Sequence, residues 1–216
     1  MIKVAPSLLA ADYLRVGDDI RRVAEAGADY LHFDVMDGSF VPNISFGPEM
    51  CRRAASCGLP VDAHLMVVHP ERWVKRCAGL GVSMMSFHQE AAGEQTGAIL
   101  DDIKANGMKA GLVVNPDIAV SRLFPYIGQA DYFLIMSVFA GFGGQKFIPE
   151  SLHRIQALKE EISRKGLDTP IEVDGGVNTE NASLLRDAGA TILVAGSSVF
   201  KAEDPSKAVA LLRNPK

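Results

Sequence analysis

Two histidines and two aspartates carry the chemistry most open to argument. They stand in Leu31-His32-Phe33-Asp34-Val35-Met36, Asp62-Ala63-His64-Leu65-Met66 and Glu172-Val173-Asp174-Gly175-Gly176. His32 and Asp34 are two residues apart, so on a strand both point to one side. Each of the four sits at the end of a short apolar run. Burying them there without partners would cost several kcal/mol, on the order of 2–7 for each polar group. Imidazole and carboxylate together suit one divalent cation. Zn²⁺, Fe²⁺, Mn²⁺ and Co²⁺ all fit, and the residue types do not choose among them. The competing reading is a hydrogen-bonded core network without metal. Any one of these residues alone favours that network, whereas four at strand ends favour the metal site.

A second group is glycine-rich. It comprises Gly141-Phe142-Gly143-Gly144, Gly175-Gly176 and Gly196-Ser197-Ser198. Glycine lets backbone N–H groups come close to ligand oxygens, and a helix N-terminus adds to the attraction for phosphate. The bland reading is ordinary turn glycine. Met36, Met66 and Met136 fall near strand tops, as core filler or as a soft cap over a reactive intermediate. His88 and Glu90 read as supporting or structural residues, and Asp62 as a satisfied core carboxylate. Asp37 reads as organiser of the turn before Gly38.

The elements that must position these residues are legible as eight apolar runs. They are Ile2–Leu8, Tyr30–Met36, Val61–Val67, Met84–His88, Ala110–Val114, Phe133–Val138, Ile171–Val173 and Thr191–Ala195. Continuous runs of this length predict strands buried on both faces, as in a parallel sheet. Amphipathic stretches lie between them, clearest at Asp18–Ala26 and Ser151–Lys165. Leu152, Ile155, Leu158 and Ile162 share one face of the latter. Eight βα units of about 27 residues each, near the practical minimum, predict a closed (β/α)₈ barrel spanning 1–216 as one domain. An open doubly wound sheet is disfavoured, because the first βα turn lacks a G-x-G-x-x-G fingerprint.

Composition narrows the function further. The chain has 216 residues, 48% hydrophobic, with a formal net charge of −4. No cationic stripe offers a phosphate backbone a footprint, which argues against nucleic acid. No window approaches 18 apolar residues, so no membrane span is expected, and a cytoplasmic setting is the default. The three cysteines lack CxxC spacing, which fits idle thiols in a reducing compartment.

One family matches these segments in order and spacing. The segments are Ala5-Pro6-Ser7-Leu8-Leu9-Ala10-Ala11-Asp12, His32 through Asn43, Phe46-Gly47-Pro48, Asp62 through Met66, Gly141 through Phe147, Val173 through Asn178 and Gly196 through Phe200. From about Ile2 to Phe200 the chain closely resembles the ribulose-phosphate 3-epimerase family. The segment His32–Pro48 is highly specific, whereas the glycine pairs recur in other phosphate-binding barrels. The resemblance implies a metal-dependent barrel enzyme, an isomerase interconverting D-ribulose 5-phosphate and D-xylulose 5-phosphate through a metal-stabilised enediolate. It implies one divalent ion per chain on His32, Asp34, His64 and Asp174, with Asp34 and Asp174 also as acid and base. It implies substrate contacts from Ser7, His64, Gly141, Phe142, Gly143, Gly144, Gly175, Gly176, Gly196 and Ser197, and a cap of Met36, Met66 and Met136. The expected partner is a small phosphorylated ketose, and a homo-oligomer is expected.

The physical logic agrees with that implication. The C–H beside a ketone is too weak an acid for a carboxylate alone, and a cation on the carbonyl oxygen stabilises the developing charge. Inversion needs a base on one face and an acid on the other. One departure is visible: Phe139-Ala140 stands where the family usually has a polar residue and proline. Ala140 lacks proline's fixed φ, so a loop over the site that is looser or differently aimed is expected. A phosphorylated hexulose such as D-allulose 6-phosphate is the alternative substrate. A Schiff-base aldolase would need an inward lysine at a strand end, and none stands out. A binding protein without catalysis would be credible had Asp34 or Asp174 been lost.

Overall fold

A computed structural model describes residues 1–47 and 49–215. The elements run β1 (Lys3–Pro6), α1 (Val16–Glu25), β2 (Leu31–Met36), α2 (Glu49–Ala55), β3 (Val61–Met66), α3 (Val74–Gly79), β4 (Val82–His88), α4 (Gln89–Ala92), α5 (Thr96–Ala105) and β5 (Lys109–Val114). After these come β6 (Tyr132–Met136), α6 (Ser151–Arg164), β7 (Ile171–Asp174), α7 (Ala182–Ala188), β8 (Ile192–Ala195), α8 (Ser197–Phe200) and α9 (Pro205–Arg213). All paired strands are parallel, in the order β1-β8-β7-β6-β5-β4-β3-β2. A parallel bridge between Ser7 and His32 closes the ring. The fold is a (β/α)₈ barrel.

Side chains alternate along each strand, which divides the core in two. Outward residues such as Phe33, Val35, Leu65, Phe87, Leu112 and Phe133 pack against Ile20, Val23, Leu100, Ile103, Ile155 and Leu158 of the helices. That annulus is apolar throughout, and it explains why the strands read as continuous hydrophobic runs. Inward residues form separate, smaller apolar groups, one of Ala5, Tyr30, Met84, Tyr132, Ile192 and Val194, another of Met36, Val41 and Met66. Between them the interior is polar: His32, Asp62, His64, Ser86, His88 and Glu172 are all completely buried.

The repeat is not uniform. The β5–β6 connection carries a 3-10 segment, Val120–Tyr126, in place of an α-helix. Pro125 lies inside it, and proline removes the donor that a regular helical turn needs. β4 begins at Val82, two residues before its apolar run. β6 stops at Met136, after which the Ser137 N–H donates to the Asp174 carbonyl oxygen at 2.7 Å. No helix among the described residues is long and apolar enough to cross a membrane. Cys51 and Cys77 are buried free thiols and Cys57 is half-buried.

Candidate active site and metal centre

The C-terminal ends of the strands bring the four expected ligands together. One donor atom each from His32, Asp34, His64 and Asp174 lies within 4.8 Å of every other. Register explains the convergence. β2 and β3 pair with His32 opposite Asp62 and Asp34 opposite His64, so all four turn inward in phase. The Asp34 Oδ1 atom is 3.5 Å from His32 Nε2 and 3.4 Å from His64 Nδ1. Asp174 Oδ2 is 3.9 Å from His32 Nε2 and 4.0 Å from His64 Nδ1.

The two ring nitrogens that face this centre are the telling atoms. His32 Nε2 and His64 Nδ1 are buried and have no hydrogen-bond partner. Orphaned buried nitrogens are costly and call for an explanation. The opposite nitrogen of each ring is engaged. His32 Nδ1 lies 2.7 Å from Asp62 Oδ2, and His64 Nε2 lies 2.9 Å from His88 Nε2. Each ring is therefore gripped from behind and aims an unpartnered nitrogen at the two carboxylates, as metal-ligating histidines do. The residues fit a divalent cation.

Charge is distributed unevenly. Burial pushes the Asp34 carboxyl up, but His32 and His64 outweigh it and hold it well below the usual carboxylate range. At Asp174 burial and the Asp34 charge win over His32, so the carboxyl is pushed up to about 7. Burial alone would lower the His32 imidazole, yet the charges of Asp34 and Asp62 raise it well above its ordinary value. Burial lowers His64 and brings His88 down to about 4.

Ser7 donates from Oγ to Asp34 Oδ2 at 2.7 Å, leaving Oδ1 toward the histidines. Ser137 Oγ sits 2.8 Å from the Asp174 carbonyl oxygen and 2.7 Å from that of Gly175, which fixes the end of β7. Above the cluster opens a cavity of about 440 Å³. Ser7, Asp34, Met36, Met66, Met136, Gly141 through Gly144, Asp174, Gly175, Gly176, Gly196 and Ser197 all line it. His64, expected among the substrate contacts, is wholly buried and does not line this cavity.

The glycine pair after β7 is enforced sterically. Gly176 has φ +63°, and a Cβ there would lie 2.5 Å from the Phe147 backbone nitrogen. Ser198 Oγ donates to the Val177 carbonyl oxygen at 2.9 Å, joining the β7 and β8 loops around the cavity. Ser198, Asn178 and Lys146 also line it and are not among the substrate contacts expected from the sequence. Ser198 carries a signal, since it belongs to the Gly196-Ser197-Ser198 segment already noted.

At Ala140, where a looser or differently aimed loop is expected, the backbone makes defined hydrogen bonds. The Ala140 N–H donates to Asn115 Oδ1 at 3.1 Å, and Asn43 Nδ2 donates to the Gly141 carbonyl oxygen at 2.7 Å. Gln145 Nε2 donates to the carbonyl oxygens of Phe139 and Phe142 at 2.7 and 2.8 Å. The amide that proline would lack is here a used donor.

Comparison with known proteins gives the family. Residues 3–200 match the profile of the "Ribulose-phosphate 3 epimerase family". A ribulose-phosphate 3-epimerase of Synechocystis sp. is 46% identical over 219 residues, covering 100% of this chain and 94% of the relative. One of Bacillus subtilis is 44% identical over 218 residues, covering all of both chains. The crystal structure of KGPDC from Streptococcus mutans superposes with a TM-score of 0.74 at 13% identity, covering 100% of this chain and 97% of that one. That likeness shows the barrel fold alone. The chain belongs to the ribulose-phosphate 3-epimerase family.

Proposed function

We propose that this chain, an epimerase by family, inverts carbon 3 of D-ribulose 5-phosphate to give D-xylulose 5-phosphate, with one divalent ion on His32, Asp34, His64 and Asp174. The observation that carries the reading is the pair of buried, unpartnered nitrogens, His32 Nε2 and His64 Nδ1, facing two carboxylates under the cavity. When bound there, the ion supplies Lewis-acid polarisation of the ketone oxygen and neutralises charge as the proton leaves.

The chain's own residues supply the rest. Asp34 and Asp174 stand on β2 and β7, three places apart around the ring. A substrate between them meets one carboxyl group on each face, as inversion requires. One takes the C3 proton and the other returns a proton to the opposite face. Ser7 steadies Asp34 through the 2.7 Å hydrogen bond. Met36, Met66 and Met136 line the cavity without competing donors, which keeps water from the reacting carbon. Gly175, Gly176, Gly196 and Ser197 offer backbone to the phosphate, with Lys146 in the same lining.

The test is proton exchange at carbon 3 of ribulose 5-phosphate in D₂O, followed by NMR. Enzyme stripped by chelator should lose exchange and regain it on adding Zn²⁺ or Co²⁺. Full exchange in a demonstrably metal-free sample would sink the reading. The phosphorylated hexulose keeps one observation in its favour: Phe139, 51% exposed, lines the cavity.

A further inference from the structure

Behind His64 runs a chain of polar side chains that the proposed reaction does not use. His64 Nε2 lies 2.9 Å from His88 Nε2. His88 Nδ1 lies 3.0 Å from Glu90 Oε1. The same Glu90 Oε1 is approached by the Asn115 backbone N–H at 3.2 Å and by Asn115 Nδ2 at 2.9 Å. His64 and His88 are completely buried and stack at 5.0 Å with 25° between planes.

Two backbone amides settle which atoms donate. A backbone N–H can only give a hydrogen bond. The Ala140 N–H gives one to Asn115 Oδ1 at 3.1 Å, so the Asn115 amide is oriented with Nδ2 toward Glu90. The Asn115 N–H gives one to Glu90 Oε1, so that oxygen is an acceptor. At 3.0 Å from it, His88 Nδ1 must carry a hydrogen, since two lone pairs at that distance repel. Asn115 Nδ2 also lies 3.4 Å from His88 Nδ1, the longest of these distances. With one hydrogen on Nδ1, neutral His88 is bare at Nε2 and accepts from His64 Nε2–H. His64 is then bare at Nδ1, the atom that faces Asp34 and Asp174.

We propose that Glu90 is a positioning residue of the metal centre: through His88 it fixes the tautomer of His64, so that Nδ1 presents a lone pair to the ion. The proposal rests on the metal reading above. The opposing influence is Asp34, whose Oδ1 at 3.4 Å would favour a hydrogen on His64 Nδ1. Glu90 decides between the two. Asn115 holds Glu90 from one side and the cavity loop, at Ala140, from the other.

The test uses ¹⁵N-histidine-labelled, chelator-treated protein, whose long-range ¹H–¹⁵N spectra separate bare from protonated ring nitrogens. Zinc affinity is measured in parallel by competition with a chelator. Wild type should show His88 bare at Nε2 and His64 bare at Nδ1. Glu90→Leu should move the His64 hydrogen to Nδ1 and weaken zinc binding about 10–100-fold. Glu90→Gln should restore both, because the Asn115 N–H still selects its Oε1 as acceptor toward His88. Wild type with His64 protonated at Nδ1 would overturn the relay, as would a Leu variant with unchanged tautomer and affinity. Equal losses in the Gln and Leu variants would overturn it in favour of charge alone. Should the Leu variant not fold, the wild-type spectrum and the Gln variant still decide. Relay tautomers in a wild type that binds no zinc would overturn the metal reading and, with it, this role of Glu90. Zinc binding with His64 bare at Nε2 would overturn the relay alone.

Discussion

His32 belongs to two clusters at once, and they behave differently. Its Nε2 faces upward to Asp34 and Asp174 under the cavity. Its Nδ1 faces downward to Asp62 at 2.7 Å, with Glu172 Oε1 at 3.7 Å. Both groups hold ligand-type atoms within reach of one ion. The lower one is satisfied at Asp62 alone: Tyr132 OH donates to Asp62 Oδ1 at 3.0 Å, the remaining Asp62 oxygen holds His32, and both Glu172 oxygens are buried without a partner. Burial and the neighbouring Asp62 charge push the Glu172 carboxyl well up. The upper group keeps unpartnered ring nitrogens and opens to a cavity. Residue types alone do not make a centre, and what separates the two is that Asp34 and Asp174 line the cavity while Asp62 and Glu172 are sealed beneath it.

The largest expected effect breaks the upper cluster. Asp34→Asn or Asp174→Asn keeps shape and removes a base or acid. Epimerisation measured by a coupled assay should fall on the order of 10²-fold or more, with metal content checked in each variant. An Asp174→Asn enzyme with its metal and near wild-type turnover would refute the two-carboxyl scheme.

The next effect breaks the lower cluster. Asp62→Asn should weaken zinc binding about 10–100-fold by loosening His32, with a smaller loss of turnover in metal-saturated enzyme. Equal damage at saturating metal would place Asp62 in the reaction itself.

A pH series sharpens the contrast. Metal-free His32 holds its proton above its ordinary range, and Asp174 holds one up to about 7. Protons compete with the ion at both groups. Zinc affinity, measured by calorimetry, should therefore rise as pH increases from about 5 through 7, with protons released on binding. An affinity flat across that range would contradict the charge distribution described for the upper cluster.

Tyr132→Phe is milder. It removes one donor from the buried Asp62 and should cost about 1–3 kcal/mol of stability in a denaturant titration, with catalysis in saturating metal nearly unchanged. Smallest is Phe139→Asn at the cavity rim. If Phe139 selects a hexulose phosphate, the ratio of kcat/KM for ribulose 5-phosphate over allulose 6-phosphate should rise. A constant ratio removes Phe139 from specificity.

The inward phase of β2, β3 and β7 was readable because a two-residue period survives in His32/Asp34 and Asp62/His64. The same period marks Glu172 beside Asp174, yet an acid inside a barrel reads as core without knowing what it faces. Tyr132 lies one residue before the apolar run Phe133–Val138 and carries no sign of a role. Its role depends on Gly111 across the β5–β6 pair, where a Cβ would fall 2.3 Å from the tyrosine ring. Such a cross-strand vacancy has no local signature. Asn115 sits just past an apolar run and could be noticed as a strand-end polar residue. Its link to Ala140 joins two loops 25 residues apart, and only the folded barrel brings them together. The 3-10 segment before β6 was hidden because a proline in a short amphipathic stretch is compatible with several turns.

Anomalous scattering from a crystal grown with Zn²⁺ tests the central claim most directly. One peak per chain should lie about 2.0–2.2 Å from His32 Nε2, His64 Nδ1 and an oxygen each of Asp34 and Asp174. A peak between His32 Nδ1, Asp62 and Glu172, or a fully active enzyme whose crystals show none at the upper cluster, would contradict it.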